Sequence, residues 1–121
     1  MDVGYYPDWD DGVVKEFFES LKKDGQRMKA EAKLRLDLLT LQGYWPQTLN
    51  VTLRQLKGYE PLWELKREYQ GVAYRLFFCI KGQQMWLLHA IEKKSPKTPR
   101  RDLDLAFRRM SDVVTGRVIK P

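Results

Sequence analysis

Trp63-Glu64-Leu65-Lys66-Arg67-Glu68-Tyr69, then Gln70-Gly71, then Val72-Ala73-Tyr74-Arg75-Leu76-Phe77-Phe78-Cys79-Ile80 is the passage that decides the fold. In its first part Trp63, Leu65 and Tyr69 alternate with Glu64, Lys66 and Glu68, the period of a strand with one wet face. Gln70-Gly71 reads as a turn, and the second part is rich in β-branched and aromatic residues on both faces. Lys81-Gly82 reads as another turn, followed by a third strand from about Gln84 to Glu92. Three antiparallel strands in a meander result, and their apolar faces need cover.

The cover is found upstream. Asp8, Asp10 and Asp11 precede Val14, Phe17, Phe18 and Leu21 at helical spacing, with Asp10 or Asp11 placed to cap the helix. Asp24-Gly25 breaks that pattern. A second helix is expected from Gln26 to Gln42, with Met28, Ala32, Leu36 and Leu39 on one stripe and Leu34, Leu38 and Leu41 beside it. Gly43 ends it, and Trp45-Pro46 opens an irregular passage. The two segments form a helical hairpin able to pack on the meander. Downstream, Lys93 to Pro99 cannot continue a sheet; Thr98 is placed to cap a helix and Pro99 to open it. Leu103, Ala106, Phe107, Met110 and Val113 or Val114 then recur at helical spacing. The fold class is therefore α+β, an N-terminal helical hairpin on a small antiparallel meander with a C-terminal helix, in one domain spanning residues 1–121.

Composition excludes several functions. At 121 residues there is room for one core but not two. One cysteine, Cys79, rules out an internal disulfide framework, and one histidine, His89, rules out a multi-histidine metal site. No cofactor is expected. The longest apolar run, Leu76 to Ile80, is too short to span a membrane, and the acidic start is not a secretory signal, so a cytoplasmic location is expected. The net charge is +6, unevenly spread: residues 1–24 carry −4, while residues 25–84 and 85–121 carry +5 each. A basic face of this kind suits a polyanion.

Three features carry possible chemistry. Arg75 interrupts an apolar strand; either it pairs with Glu64 or Glu68, or it displays a guanidinium fork to a phosphate. Lys93, Lys94, Lys97, Arg100 and Arg101 crowd five cations into nine residues around a helix start, a place that disfavours cations unless an anion joins them. His89 shares strand parity with Met85, Leu87 and Ile91 and reads as a core histidine or a proton donor. There is no glycine-rich phosphate loop, nucleophile elbow or metal motif. Such an inventory is compatible with RNA cleavage, because RNA brings its own nucleophile, the 2′-hydroxyl.

The ordered set Leu62-Trp63-Glu64-Leu65-Lys66, Tyr74-Arg75-Leu76-Phe77-Phe78, Leu87 to Lys94, Lys97-Thr98-Pro99 and Ala106-Phe107-Arg108-Arg109-Met110 resembles the phage-derived HigB-like branch of the RelE/ParE toxin superfamily. The resemblance implies a toxin of a type II toxin–antitoxin pair, a metal-independent endoribonuclease cutting messenger RNA, typically on the ribosome, and held in check by a HigA-like helix-turn-helix antitoxin. It matches Arg75 to the strand arginine that contacts the scissile phosphate, and Lys94 and Lys97 to the basic residues after the last strand, so that these three are the expected catalytic residues that hold and stabilise the phosphate. Lys66 or Arg67 would face the same groove. Lys57, Lys93, Arg100 and Arg101 are further candidates for the RNA backbone, and His89 or Tyr74 for proton donation. Val3-Gly4-Tyr5-Tyr6 is a short and poor match to the family's first strand. Two other readings are a ParE-like, non-catalytic gyrase-poisoning toxin and a non-toxic phage protein that binds nucleic acid or antitoxin.

Overall fold

The computed structural model describes residues 1–44 and 52–121; the Trp45-Pro46 passage lies outside them. Elements run β1 (Asp2–Tyr5), α1 (Val13–Lys22), α2 (Met28–Tyr44), β2 (Thr52–Gln55), β3 (Trp63–Tyr69), β4 (Val72–Lys81), β5 (Gln84–Lys93) and α3 (Arg100–Val114). The fold is α+β, with three helices and a five-stranded mixed sheet among the described residues, in the order β1-β5-β4-β3-β2. The expected meander is its centre, β3-β4-β5. Two short strands extend it: β1 lies parallel to β5, and β2 antiparallel to β3.

The turns follow from local chemistry. Gln70 and Gly71 both take positive φ, 52° and 79°, which is the backbone of a two-residue hairpin matching the twist of its strands. Glu64, expected on the wet side of β3, is instead only 1% exposed. Between β4 and β5 the register slips by one residue: Phe77 faces His89, yet Phe78 faces Leu87. Leu88 is the extra residue of this bulge, and beyond it the side-chain alternation of β5 is reversed. His89 therefore does not share a face with Met85 and Leu87. It stacks on Phe77 instead, with ring centroids 5.9 Å apart.

Two apolar clusters sit on opposite faces of the sheet. Val14, Phe18 and Leu21 of α1 and Ala30, Leu34 and Leu41 of α2 pack on Leu65, Leu76, Phe78, Met85 and Leu87. On the other face Ala106, Met110 and Val113 of α3 pack on Phe77, Cys79, Trp86 and Leu88. The hairpin thus covers one face only, and α3 covers part of the other. Within α2 the buried stripe is the one through Leu34, Leu38 and Leu41, whereas Met28, Leu36 and Leu39 of the first-named stripe face solvent. No helix among the described residues is long and apolar enough to cross a membrane.

Helix starts differ from the expected caps. Gly12, not an aspartate, is the N-cap of α1; Asp11 Oδ1 instead accepts from the Gly12 N–H, while Val13 N–H donates to the Tyr6 carbonyl. Pro99 is the N-cap of α3, because the Thr98 hydroxyl is committed elsewhere, to Glu64. At the N-terminus Gly4 of β1 lies beneath the indole of Trp9, which meets Trp86 edge-on at 4.8 Å. A Cβ on Gly4 would stand 2.0 Å from Trp9 Cε3. Gly4→Ala is therefore expected to displace Trp9 and lower stability by about 1–3 kcal/mol, the usual cost of overpacking; a urea-unfolding curve checks it.

Candidate functional site

The α3-facing side of the sheet is left uncovered towards β2, and there the polar residues gather. Register places Arg54 opposite Glu64, and Lys66 opposite Arg75, on one face. Arg75, 1% exposed, directs Nη1 to both Glu64 oxygens at 3.3 and 3.4 Å and donates from Nη2 to the Pro96 carbonyl at 2.8 Å. Glu64 also accepts from Arg54 Nε at 3.1 Å and from the Thr98 hydroxyl at 3.0 Å. A buried charge is tolerated when paired and hydrogen-bonded, and this carboxylate has three donors. Of the two readings of Arg75, the cross-strand pair with Glu64 is the one seen. The pair also pins the loop between β5 and α3 to the sheet, through Pro96 and Thr98. Among the described residues Arg75 Nε has no hydrogen-bond partner.

Beside this pair a cleft of about 450 Å³ opens, lined by Lys66, Arg75, Lys94, Ser95 and Pro96 and by the β3–β4 turn. Its cations are Lys66, Arg75 and Lys94, against Glu68, which lies 3.6 Å from Lys66 Nζ. Lys93 ends β5 opposite Ala73, itself part of the lining. Lys97, expected beside Lys94 at the phosphate, is exposed in the same loop but does not line the cleft; its carbonyl accepts from Ser95 Oγ. Arg100 and Arg101 are exposed on the first turn of α3, with Asp104 and Asp102 at 3.9 and 4.0 Å. Lys57 is exposed on the turn between β2 and β3. Arg67 points the other way: it bonds Asp37 of α2 through Nε at 2.9 Å, and that hydrogen bond holds its pKa above the usual arginine value. Lys66, not Arg67, faces the groove.

His89 lies on the cleft's side of the sheet but is occupied beneath α3. Nε2 is 2.8 Å from Asp102 Oδ1, and Arg109 Nη1 stands 3.4 Å from Nδ1. Burial lowers its pKa below 6.5, against the opposing pull of Asp102. The linkage sign follows: unfolding lets the imidazole take up a proton that the folded protein resists. Stability is therefore full above 6.5 and falls as pH drops from there towards the lower folded value. We expect the urea midpoint to be lower at about pH 5.5 than at about pH 7.5, with a shallower fall in His89→Gln.

Tyr74 is buried among the hairpin-side apolar residues, across the sheet from Arg75, and burial raises its pKa. Burial likewise pushes the Cys79 thiol up to about 12, leaving it an inert hydrophobe. Among the described residues no group of three or more His, Cys, Asp or Glu is placed to hold a metal ion. Arg54 and Asp102 carry no signal in the sequence, and Thr98 and Arg109 stand there only as a helix cap and a motif member, not as partners of Glu64 and His89. Only their positions in three dimensions mark them, because β2 is too short and polar to announce its pairing.

Comparison with curated proteins and with solved structures gave no match. The family of phage-derived Gp49-like proteins (DUF891), by contrast, matches residues 16–111, from within α1 to within α3 and including every residue of the cleft. The chain therefore belongs to this Gp49-like family, one of the RelE/HigB-type toxin families.

Proposed function

We propose that the protein is the toxin of a type II toxin–antitoxin pair, a metal-independent endoribonuclease that cuts messenger RNA on the ribosome and is neutralised by a HigA-like helix-turn-helix antitoxin. The observation that carries this reading is the shared cleft of Lys66, Arg75 and Lys94 under a loop rich in cations. A ribose–phosphate link seated there has its phosphate between the Lys66 and Lys94 side chains, with Arg75 as the fixed positive charge behind it. The 2′-oxygen attacks phosphorus and the bond to the 5′-oxygen breaks, leaving a 2′,3′-cyclic phosphate. One lysine, as the neutral amine, takes the 2′ proton, and the other, as the ammonium, gives one to the leaving oxygen. Lys93, next to Lys94 in the chain, and Lys97, Arg100 and Arg101 of the following loop and helix start suit the flanking phosphates, and Lys57 a more distant one.

The burial of Arg75 against Glu64 favours a second reading, in which the basic surface binds a target such as gyrase without chemistry. One experiment separates the two. Induction of the wild type should arrest growth and create new RNA 5′ ends, and the Lys66→Ala/Lys94→Ala variant should lose both by about 10²-fold or more. Arrest with a DNA-damage response and intact transcripts would establish the binding reading instead. No arrest at all would make this a non-toxic member of the family.

A further inference from the structure

Helix α2 is apolar on two sides. Its inward side belongs to the core, but Met28, Leu36 and Leu39 are 53%, 63% and 59% exposed, and with Ala32 they form a continuous outward stripe at helical spacing. Single exposed leucines are ordinary, whereas an aligned stripe is an interaction surface left uncovered. The stripe continues into a shallow cleft lined by Lys29, Ala32, Lys33, Leu36 and Tyr69, where Lys33 Nζ lies 5.5 Å from the Tyr69 ring centre.

The charges around the stripe are of one sign. Lys29 and Lys33 border it on one side and Arg35 on the other. The two acidic residues of α2 are both turned inward and paired, Glu31 to Arg35 and Asp37 to Arg67. From Met28 to Leu39 the stripe spans about 17 Å, three turns of helix. A second copy of this chain is a poor occupant, because a two-fold contact through α2 would set these cations against themselves.

We infer that the outward face of α2 is a docking surface for an acidic amphipathic helix of another protein, its leucine-type stripe against Met28, Leu36 and Leu39 and its carboxylates against Lys29, Lys33 and Arg35. Tyr69, at the end of β3, lines both this surface and the Lys66–Arg75–Lys94 cleft, but α2 itself packs on the hairpin side of the sheet, so the inference does not depend on RNA cleavage.

The test uses the full chain and a fluorescent helical peptide of about four turns, with leucines at i, i+4, i+7 and i+11 flanked by glutamates. A matched peptide carries lysines in place of the glutamates. Fluorescence polarisation should show binding of the acidic peptide only, weakened about tenfold or more in Leu36→Ser/Leu39→Ser and in Lys29→Glu/Lys33→Glu. Both variants alter exposed side chains, and circular dichroism confirms that they fold. Equal binding by the leucine variant would overturn the proposal. So would a wild-type dimer in sedimentation that this variant dissolves, or binding to vesicles of phosphatidylcholine and phosphatidylglycerol that it abolishes without any binding of the peptide.

Discussion

Glu64→Ala should lower the unfolding free energy by about 3–5 kcal/mol, the range found when one partner of a buried ion pair is removed. The carboxylate is the counter-charge of a guanidinium that is itself 1% exposed, and it also holds Arg54 and the Thr98 hydroxyl. Its loss leaves Arg75 with the Pro96 carbonyl and no counter-ion within the sheet. Replacing both members, Arg75→Met with Glu64→Leu, should recover most of that loss, since apolar residues of similar volume avoid the desolvation cost. Urea-unfolding midpoints at constant slope measure both. If Glu64→Ala unfolds within about 1 kcal/mol of the wild type, the pair does not hold this corner of the molecule together.

The same double replacement gives the largest expected effect on activity. If the protein cleaves RNA as proposed, the Arg75→Met/Glu64→Leu chain should be folded yet slower by about 10²–10³-fold, the usual cost of deleting one charge-stabilising group. Because its stability is restored, lost cleavage is then a loss of chemistry and not of structure. Arg67→Gln is the control: it breaks an ion pair with Asp37 on the opposite face, so cleavage per folded molecule should hold while stability falls. RNA 5′-end mapping on both variants reads the difference. Undiminished cleavage by the double variant would remove Arg75 from the reaction.

The elements with strong periodicity were legible in the sequence. The β3-β4-β5 meander, its two turns, the helical hairpin and the last helix follow from alternation, glycine placement and spacing. What failed did so for identifiable reasons. Strand β2 buries little, and β1 finds its partner some eighty residues away in parallel, so neither leaves a local pattern. Helix α2 has leucines all round, so periodicity could not choose between its two stripes. Arg75 was conspicuous as a cation in an apolar strand, and Glu64 was named as one of its possible partners. The alternation of β3 nevertheless sent Glu64 to water, because period alone does not register that an arginine can draw a carboxylate inward. The cationic loop after β5 was readable from charge density, but the hydrogen bonds tying it to the sheet were not.

Leu88 carries a consequence for comparing this chain with its relatives. One inserted residue acts as a phase change within β5, so the first half of the strand and the second obey opposite inside–outside rules. A relative lacking that residue would alternate without a break and keep its counterparts of His89 and Ala90 on the sides they occupy here, under α3 and towards the helical hairpin. A relative that keeps the residue but pairs it in a straight ladder would instead exchange the two sides from that point on, with every residue name unchanged.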